Sequence, residues 1–142
     1  MKESLLYITV GTGIGIGLII NGAPVHGMMH PEGGHARVTR HRDDNYSGKC
    51  PFHKDCLEGL CATGAIVERL GLKGPEEIID LPDTAQIWDM IGFYLGEFCA
   101  NLYLATSVER IIIGGGVMNR ACLYPKIRAR FNHCINGYVK MP

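Results

Sequence analysis

Three side chains that bind soft metal ions lie close together in this sequence, namely Cys50, His53 and Cys56, and His35 upstream of them is a fourth candidate ligand. The segment has no apolar periodicity of its own, so a bound ion is the simplest means of holding it in one conformation. Zinc is the simplest candidate, because two cysteines and two histidines make a closed tetrahedral set. The alternative interpretations are incidental buried thiols, or His41 in place of His35.

Two carboxylates flank this segment, Glu32 before it and Glu58 after it. Carboxylates pair well with neighbouring hydroxyl groups, because a carboxylate accepts from two donors at once. Each has a simpler interpretation. Glu58 falls in the first turn of a predicted helix, where the helix dipole favours an acidic residue, and Glu32 is compatible with an ordinary loop position.

Two glycine-rich segments are candidate phosphate contacts. The first, residues 11–17, matches neither the P-loop motif nor the dinucleotide-binding motif, since Ile16 replaces the last glycine and a strand follows. A turn presenting N–H groups and the Thr12 hydroxyl to a phosphate, or a glycine-rich hairpin without a ligand, both remain open. The second segment, residues 114–119, joins a predicted strand to a helix, which is typical of a nucleotide-contacting turn.

The apolar pattern predicts an α/β chain that begins as an antiparallel meander. Leu5–Val10 is expected to be a strand buried on both faces, and Asn21-Gly22 predicts a tight hairpin. The remaining predicted strands span residues 18–20, 23–25 and 109–113, and one more begins at Tyr138.

Helical spacing predicts one helix from residue 55 or 56 to Leu70, with Gly71 as its end, and a short helical turn at Pro75. A long helix is predicted over residues 84–106, with Asp83 and Gln86 as a capping box. In this helix Gly92, Gly96 and Ala100 recur every four residues and predict a close helix contact. A last helix, from Pro125 to a C-cap at Asn136-Gly137, completes a strand–turn–helix unit.

Composition narrows the class of partner. The chain has 142 residues, 46% of them hydrophobic and 20% charged, with a formal net charge of zero, which argues against a nucleic-acid partner. No apolar run is long enough for a membrane span, so no membrane partner is expected. The cysteines outside the metal-type motif lie in apolar patterns, which predicts free thiols and a cytoplasmic location. They are Cys61, Cys99, Cys122 and Cys134.

Four motifs in this order resemble the ROK family (repressors, open reading frames, kinases). They are Gly11-Thr-Gly-Ile-Gly, Glu32-x-Gly-His35, Cys50-x-x-His-x-x-Cys-Leu-Glu58 and Ile113-Gly-Gly-Gly-Val-Met-Asn119. The third motif is similar to that of the bacterial fructokinase branch, whereas the common pattern of the family has a third cysteine where this chain has His53. The resemblance covers nearly the whole chain.

The resemblance implies an actin-like, ribonuclease-H-like sugar kinase, which transfers a phosphoryl group from Mg-ATP to D-fructose and gives fructose 6-phosphate. It places Glu32, His35 and Glu58 at the sugar. It places zinc on His35, Cys50, His53 and Cys56. The nucleotide would contact two sets of residues: Gly11, Thr12 and Gly13, and Gly114, Gly115, Gly116, Val117 and Met118.

The resemblance also implies that residues 1–142 form a single domain, the C-terminal lobe of such a kinase, truncated at both ends. The family's first phosphate loop and its catalytic aspartate have no counterpart here, so no catalytic residue is assigned and the chain alone is expected to be inactive. A homodimer is also implied. The alternatives are a catalytically silent, zinc-stabilised dimerisation module and a fragment of a ROK transcriptional regulator.

Overall fold

The computed structural model describes residues 3–140, and its centre is a mixed sheet of four strands. The strands are β1 (Leu5–Val10), β2 (Ile14–Ile20), β3 (Ala23–Pro24) and β4 (Arg110–Gly114), in the order β3-β2-β1-β4. β1 pairs antiparallel with β2 and parallel with β4. The predicted meander is therefore confirmed. The Asn21-Gly22 turn has the left-handed backbone that a tight hairpin needs, with φ values of 51° and 78°.

The sheet is buried on one face only, which corrects the expectation that β1 is buried on both. Leu6, Ile8 and Val10 are fully buried and face the helices, whereas Tyr7 on the opposite face is 41% exposed. Its neighbour in β4, Ile112, is exposed to the same extent. β1 thus alternates as expected for a sheet covered by helices on one side.

Four α-helices cover this face, and three short 3₁₀ turns lie in the segments that connect the elements. The helices are α1 (Leu57–Cys61), α2 (Thr63–Leu70), α3 (Gln86–Thr106) and α4 (Leu123–Ile135). The 3₁₀ turns are Gly33–His35, Pro75–Asp80 and Gly116–Asn119. Gly71 and Asn136 adopt left-handed conformations at the ends of α2 and α4, as predicted.

The single helix predicted up to Leu70 is wrong, because the chain bends at Ala62 and forms α1 and α2 separately. Ala62 has extended backbone angles, φ −68° and ψ 161°. The backbone N–H of Thr63 donates to Gly11 O at 2.8 Å, and Gly59 O accepts from Lys49 N at 2.9 Å. These two tertiary hydrogen bonds replace the one that would continue the helix across Ala62.

The predicted capping box is also wrong. The helix begins at Gln86 after Ala85, and no side chain caps it. Asp83 instead accepts a hydrogen bond from Arg120 at 2.8 Å, so its side chain forms a tertiary ion pair and does not cap the helix. The expected last strand is not formed over residues 138–140, and Met141 and Pro142 lie outside the described residues.

The predicted close helix contact is confirmed, and it joins α3 to α4. A Cβ added at Gly92 would lie 2.5 Å from Lys126 Cβ, and one added at Gly96 would lie 2.6 Å from Arg130 Cβ. Only glycine allows this approach, and the buried contact compensates for the low helix propensity of glycine. The core between this helix pair and the sheet includes Trp88, Tyr94 and Phe98.

None of the six cysteines forms a disulfide within residues 3–140, and the four outside the metal-type motif are free thiols as predicted. Cys61 and Cys99 are buried, whereas Cys122 and Cys134 are half-buried. Within residues 3–140, no helix is both long enough and apolar enough to cross a membrane.

Candidate metal and ligand site

The four predicted metal ligands converge on one point. One donor atom from each of His35, Cys50, His53 and Cys56 lies within 4.8 Å of every other. The 3₁₀ turn Gly33–His35 supplies the first ligand and the loop before α1 supplies the other three. The turn can approach the sheet because position 34 is glycine, where a Cβ would lie 1.9 Å from Ile14 O.

The spacing of the donor atoms matches a tetrahedral site. Nδ1 of His35 is 3.2 Å from Nδ1 of His53, and both nitrogens are 3.6 Å from Sγ of Cys50. Sγ of Cys56 is 3.7 Å from Nδ1 of His35. Zinc bonds of about 2.3 Å to sulfur and about 2.0–2.1 Å to nitrogen give tetrahedral edges of about 3.3–3.4 Å (N to N) and about 3.5–3.6 Å (N to S). The cluster could therefore hold a metal ion.

The backbone prepares the two thiols differently for metal binding. Burial by itself raises the pKa of Cys50, but hydrogen bonds from the backbone of His53 and Phe52 bring that pKa well below its ordinary value. Burial raises the pKa of Cys56, whose Sγ accepts from Gly59 N at 3.4 Å and caps α1. A thiolate is the form that binds metal, so Cys50 is already suited to that role.

His41, the rival ligand, lies outside the cluster. Its Nδ1 accepts from Asp43 N at 3.1 Å, and its ring packs edge-on against Phe93. Arg40 also contacts this segment, because its half-buried side chain is 30% exposed and donates to Asp55, which lies between His53 and Cys56. Arg37, which is exposed, also pairs with Asp55.

Glu58 lies between the metal-type cluster and the glycine-rich turn after β1. Its Oε1 accepts from the backbone N–H of Ile14 at 2.8 Å, and its Oε2 is 3.8 Å from His35 Nε2. A Cβ at Gly13 would lie 2.6 Å from Oε1, so the turn passes directly over the carboxylate. Glu32, by contrast, is exposed at the start of the 3₁₀ turn that carries His35.

The two predicted phosphate-contacting segments meet at one edge of the sheet, because β1 and β4 run parallel and both end there. An added Cβ at Gly11 would lie 3.8 Å from Gly116 N. Gly115 has φ +99°, and a Cβ there would lie 2.4 Å from Val10 O, so this position requires glycine. Thr12 is exposed on the first turn.

A cavity of about 590 Å³ opens beside the triglycine turn. Gly116, Val117 and residues 119–121 form one part of its lining. Val117 and Met118, both predicted nucleotide contacts, lie at the edge of the core and are 5% and 4% exposed. Of these two residues, Val117 belongs to the cavity lining.

The rest of the lining was missed in the sequence. It comes from Thr63, from the 3₁₀ turn at Pro75–Asp80, and from Asp83 and Trp88. Trp88 is the only tryptophan of the chain, and Arg120 directly follows the last predicted motif. Both residues are conspicuous in the sequence, but neither indicates that Arg120 contacts a segment about forty residues before it.

The ROK family model matches residues 1–142. Fructokinase from Lactococcus lactis subsp. cremoris is 40% identical over 141 residues, which are 99% of this chain and 47% of that protein. The chain spans a little under half the length of the curated relatives it matches.

Two solved structures show the same fold. ROK hexokinase from Thermus thermophilus superposes with a TM-score of 0.80 at 24% identity, over 99% of this chain and 52% of that one. A ROK family glucokinase from Streptomyces griseus, in complex with glucose and AMPPNP, gives 0.69 at 23% identity, over 96% and 52%. The mixed α/β fold expected of an actin-like sugar kinase is therefore confirmed.

Proposed function

This chain belongs to the ROK family, and from this premise we propose that it forms one lobe of an ATP-dependent hexose kinase that phosphorylates D-fructose. Similarity to fructokinases over nearly the whole chain supports the reaction and the sugar. The observation that carries the proposal is the position of Glu58. It touches the turn after β1 with one carboxylate oxygen and faces His35 with the other.

The sugar is proposed to bind at Glu32, His35 and Glu58. With Nδ1 of His35 on a metal, the neutral ring carries its proton on Nε2, which can donate to a hydroxyl oxygen. The same hydroxyl can donate to Glu58 Oε2, because the 3.8 Å gap leaves room for one oxygen within hydrogen-bond distance of both groups. This pairing favours a ligand with several adjacent hydroxyls over an apolar one.

Zinc is the proposed metal, held by His35, Cys50, His53 and Cys56, since a two-nitrogen, two-sulfur tetrahedral set favours it. When bound, it supplies orientation and no reactive position, because protein atoms fill all four places. With the four side chains on one ion, the His35 ring would be held in one orientation. The loop before α1 would be held in one conformation too, although it has little apolar content to pack against the core.

The nucleotide is proposed to bind as Mg-ATP at the edge where β1 and β4 end. The backbone of Thr12 and Gly13 and the Thr12 hydroxyl are suited to phosphate oxygens, whereas the N–H of Gly11 already donates to Gly13 O at 2.9 Å. Gly114–Met118 and the adjacent cavity are suited to the adenosine. Phosphoryl transfer depends mainly on positioning and charge stabilisation, which backbone amides can provide.

No catalytic base is assigned among residues 3–140. The homodimer and the cytoplasmic location expected from the sequence stay predictions.

The proposal is tested first by metal analysis of the purified chain, with one zinc per chain expected. The melting temperature is then measured with Mg-ATP, with fructose, with both, and with a chelator. Both ligands are expected to raise it and the chelator to lower it. If the chelator lowers it while neither ligand changes it, the chain is a zinc-stabilised module and the kinase assignment fails. Phosphorylation of fructose by this chain alone would contradict the proposal that residues 3–140 contain no catalytic base.

A further inference from the structure

Apart from Thr63, the cavity beside the triglycine turn is lined by two segments that are distant in the sequence. One is the stretch from Gly116 to Ala121, which follows β4. The other runs from Pro75 to Asp83 and is continued by Trp88 at the start of α3. The 3₁₀ turn in this second segment has no buried residue, so apolar burial alone holds it weakly.

Arg120 connects these two segments through its guanidinium group. Nη1 donates to Asp83 Oδ1 at 2.8 Å, while Nη2 donates to Ile78 O at 2.9 Å and to Ile79 O at 3.3 Å. The guanidinium carbon lies 4.7 Å from the centre of the Trp88 ring. The Arg120 side chain is 17% exposed and that of Asp83 is 65% exposed, so the guanidinium group is largely buried while the carboxylate that it pairs with is open to solvent.

The charge of Arg120 is therefore already used within the protein. Asp83 neutralises it, and two carbonyl oxygens occupy the remaining donors of Nη2. An arginine in this state is poorly suited to bind a ligand phosphate, which would have to displace the carboxylate. Its geometry suits a different task, since it fixes how far the 3₁₀ turn stands from the segment after β4.

We propose that Arg120 is a positioning residue for the base of the nucleotide, setting the width of the cavity that receives it. This inference rests on the proposed nucleotide site and deepens it. A planar base needs an apolar surface on each side, about 3.5–4 Å from its own atoms. Ile78 and Val117 line the cavity from the two connected segments, and Arg120 holds those segments at one separation.

Trp88 gives a direct readout, because it is the only tryptophan and belongs to the lining. Its fluorescence is titrated with ATP in the wild-type chain and in R120M, R120K and R128M. Methionine keeps an unbranched apolar stem like that of arginine but removes the donors and the charge, and lysine restores the positive charge without the planar guanidinium group. Arg128 is exposed in α4, outside the cavity lining, and serves as the control for the loss of one arginine.

The second ligand is inorganic tripolyphosphate, which carries the phosphates of ATP without the base. Its affinity is measured by calorimetry beside that of ATP. We expect R120M to weaken ATP binding about tenfold or more, because tenfold corresponds to about 1.4 kcal/mol, which is the order of one hydrogen bond to a charged group. R120K should recover part of the loss, and R128M should match the wild type. Tripolyphosphate should bind all four proteins alike.

Any other result contradicts either the nucleotide site or the role of Arg120 in it. If the wild-type chain binds tripolyphosphate but gains nothing from the base of ATP, the cavity is not the base site. If it binds neither ligand, the proposed nucleotide site itself fails, and the Arg120 assignment fails with it. If the wild type binds ATP and R120M binds it equally well, only the Arg120 assignment fails. If R120M weakens both ligands equally, Arg120 supports the fold in general and is not a positioning residue.

Discussion

Replacing Asp44 by asparagine is expected to destabilise the chain strongly, because Asp44 holds the metal-type loop onto the helices. Its side chain is 3% exposed. It accepts from the Tyr94 hydroxyl at 2.7 Å, from Arg69 Nη1 at 3.1 Å and from Tyr46 N at 3.1 Å. Arg69 lies in α2 and Tyr94 in α3, so one carboxylate connects the loop to both helices.

The size of the destabilisation follows from the buried charge that the substitution leaves without a partner. Asparagine keeps the volume and one acceptor oxygen but removes the charge, so Arg69, whose side chain is 6% exposed, loses its buried counterion. Removing one member of a buried ion pair costs about 3–5 kcal/mol. The loss of unfolding free energy for D44N should lie near the lower end of this range, because Arg69 also donates to Leu60 O at 2.9 Å and stacks on Tyr46.

The assay is urea unfolding followed by Trp88 fluorescence, with D43N as the matched control. Asp43 is the adjacent residue, but within residues 3–140 its only ion pair is the exposed one to Arg42, so D43N should leave the unfolding midpoint unchanged. The double variant D44N/R69M should recover part of the loss, since it removes both charges. Equal midpoints for D44N and D43N would refute the reasoning.

The pH dependence gives an independent check. Burial by itself raises the pKa of Asp44, but hydrogen bonds from Tyr94 and Tyr46 and the charge of Arg69 hold that pKa below its ordinary value of 3.8. The stabilisation is therefore complete above about pH 4 and is lost as the pH falls through the folded-state pKa. The difference in unfolding free energy between wild type and D44N should narrow in that acid range.

Three further substitutions test other parts of the site. C56S should lower the zinc content and the melting temperature, whereas C134S, away from the cluster, should leave both unchanged. G115A should cost about 1–3 kcal/mol in unfolding free energy, because alanine is strained at φ +99°; G116A, with nothing within 4 Å of an added Cβ, should not. E58Q, which still accepts the loop amide, should weaken fructose binding in calorimetry while the melting temperature stays near that of the wild type.

The sequence was sufficient where one residue type determines the local outcome. β1 was predicted to the residue, the hairpin at Asn21-Gly22 formed as expected, and the four ligands that converge were those their side-chain chemistry indicated. For β1, for the hairpin and for Cys50, His53 and Cys56, the signal lies within a few residues, so no distant contact was needed to interpret it. The assembly of His35 with the later ligands came from the family motif order, not from spacing.

The errors arose where a distant contact overrode a local preference. Ala62 continues a helical pattern, yet the hydrogen bond between Thr63 and Gly11 ends the helix there. Asp83 has the spacing of a helix cap, yet Arg120 recruits it. The second half of the cavity lining was missed for the same reason. The local preferences of Ala62 for a helix and of Asp83 for a helix cap are each worth about 1 kcal/mol of stability. In both cases a tertiary interaction of similar size offsets the preference.

The metal-type cluster and the glycine-rich turn form one structural unit because α1 belongs to both. Cys56 caps the N-terminus of α1, so a metal held by its sulfur fixes where that short helix begins. Glu58 lies in the first turn of α1, and its carboxylate holds Ile14 N, at the end of the turn. A helix of five residues cannot absorb a shift of its first residue by bending elsewhere. The orientation of Glu58 toward His35, and the path of the turn over it, therefore both depend on Cys56 being fixed.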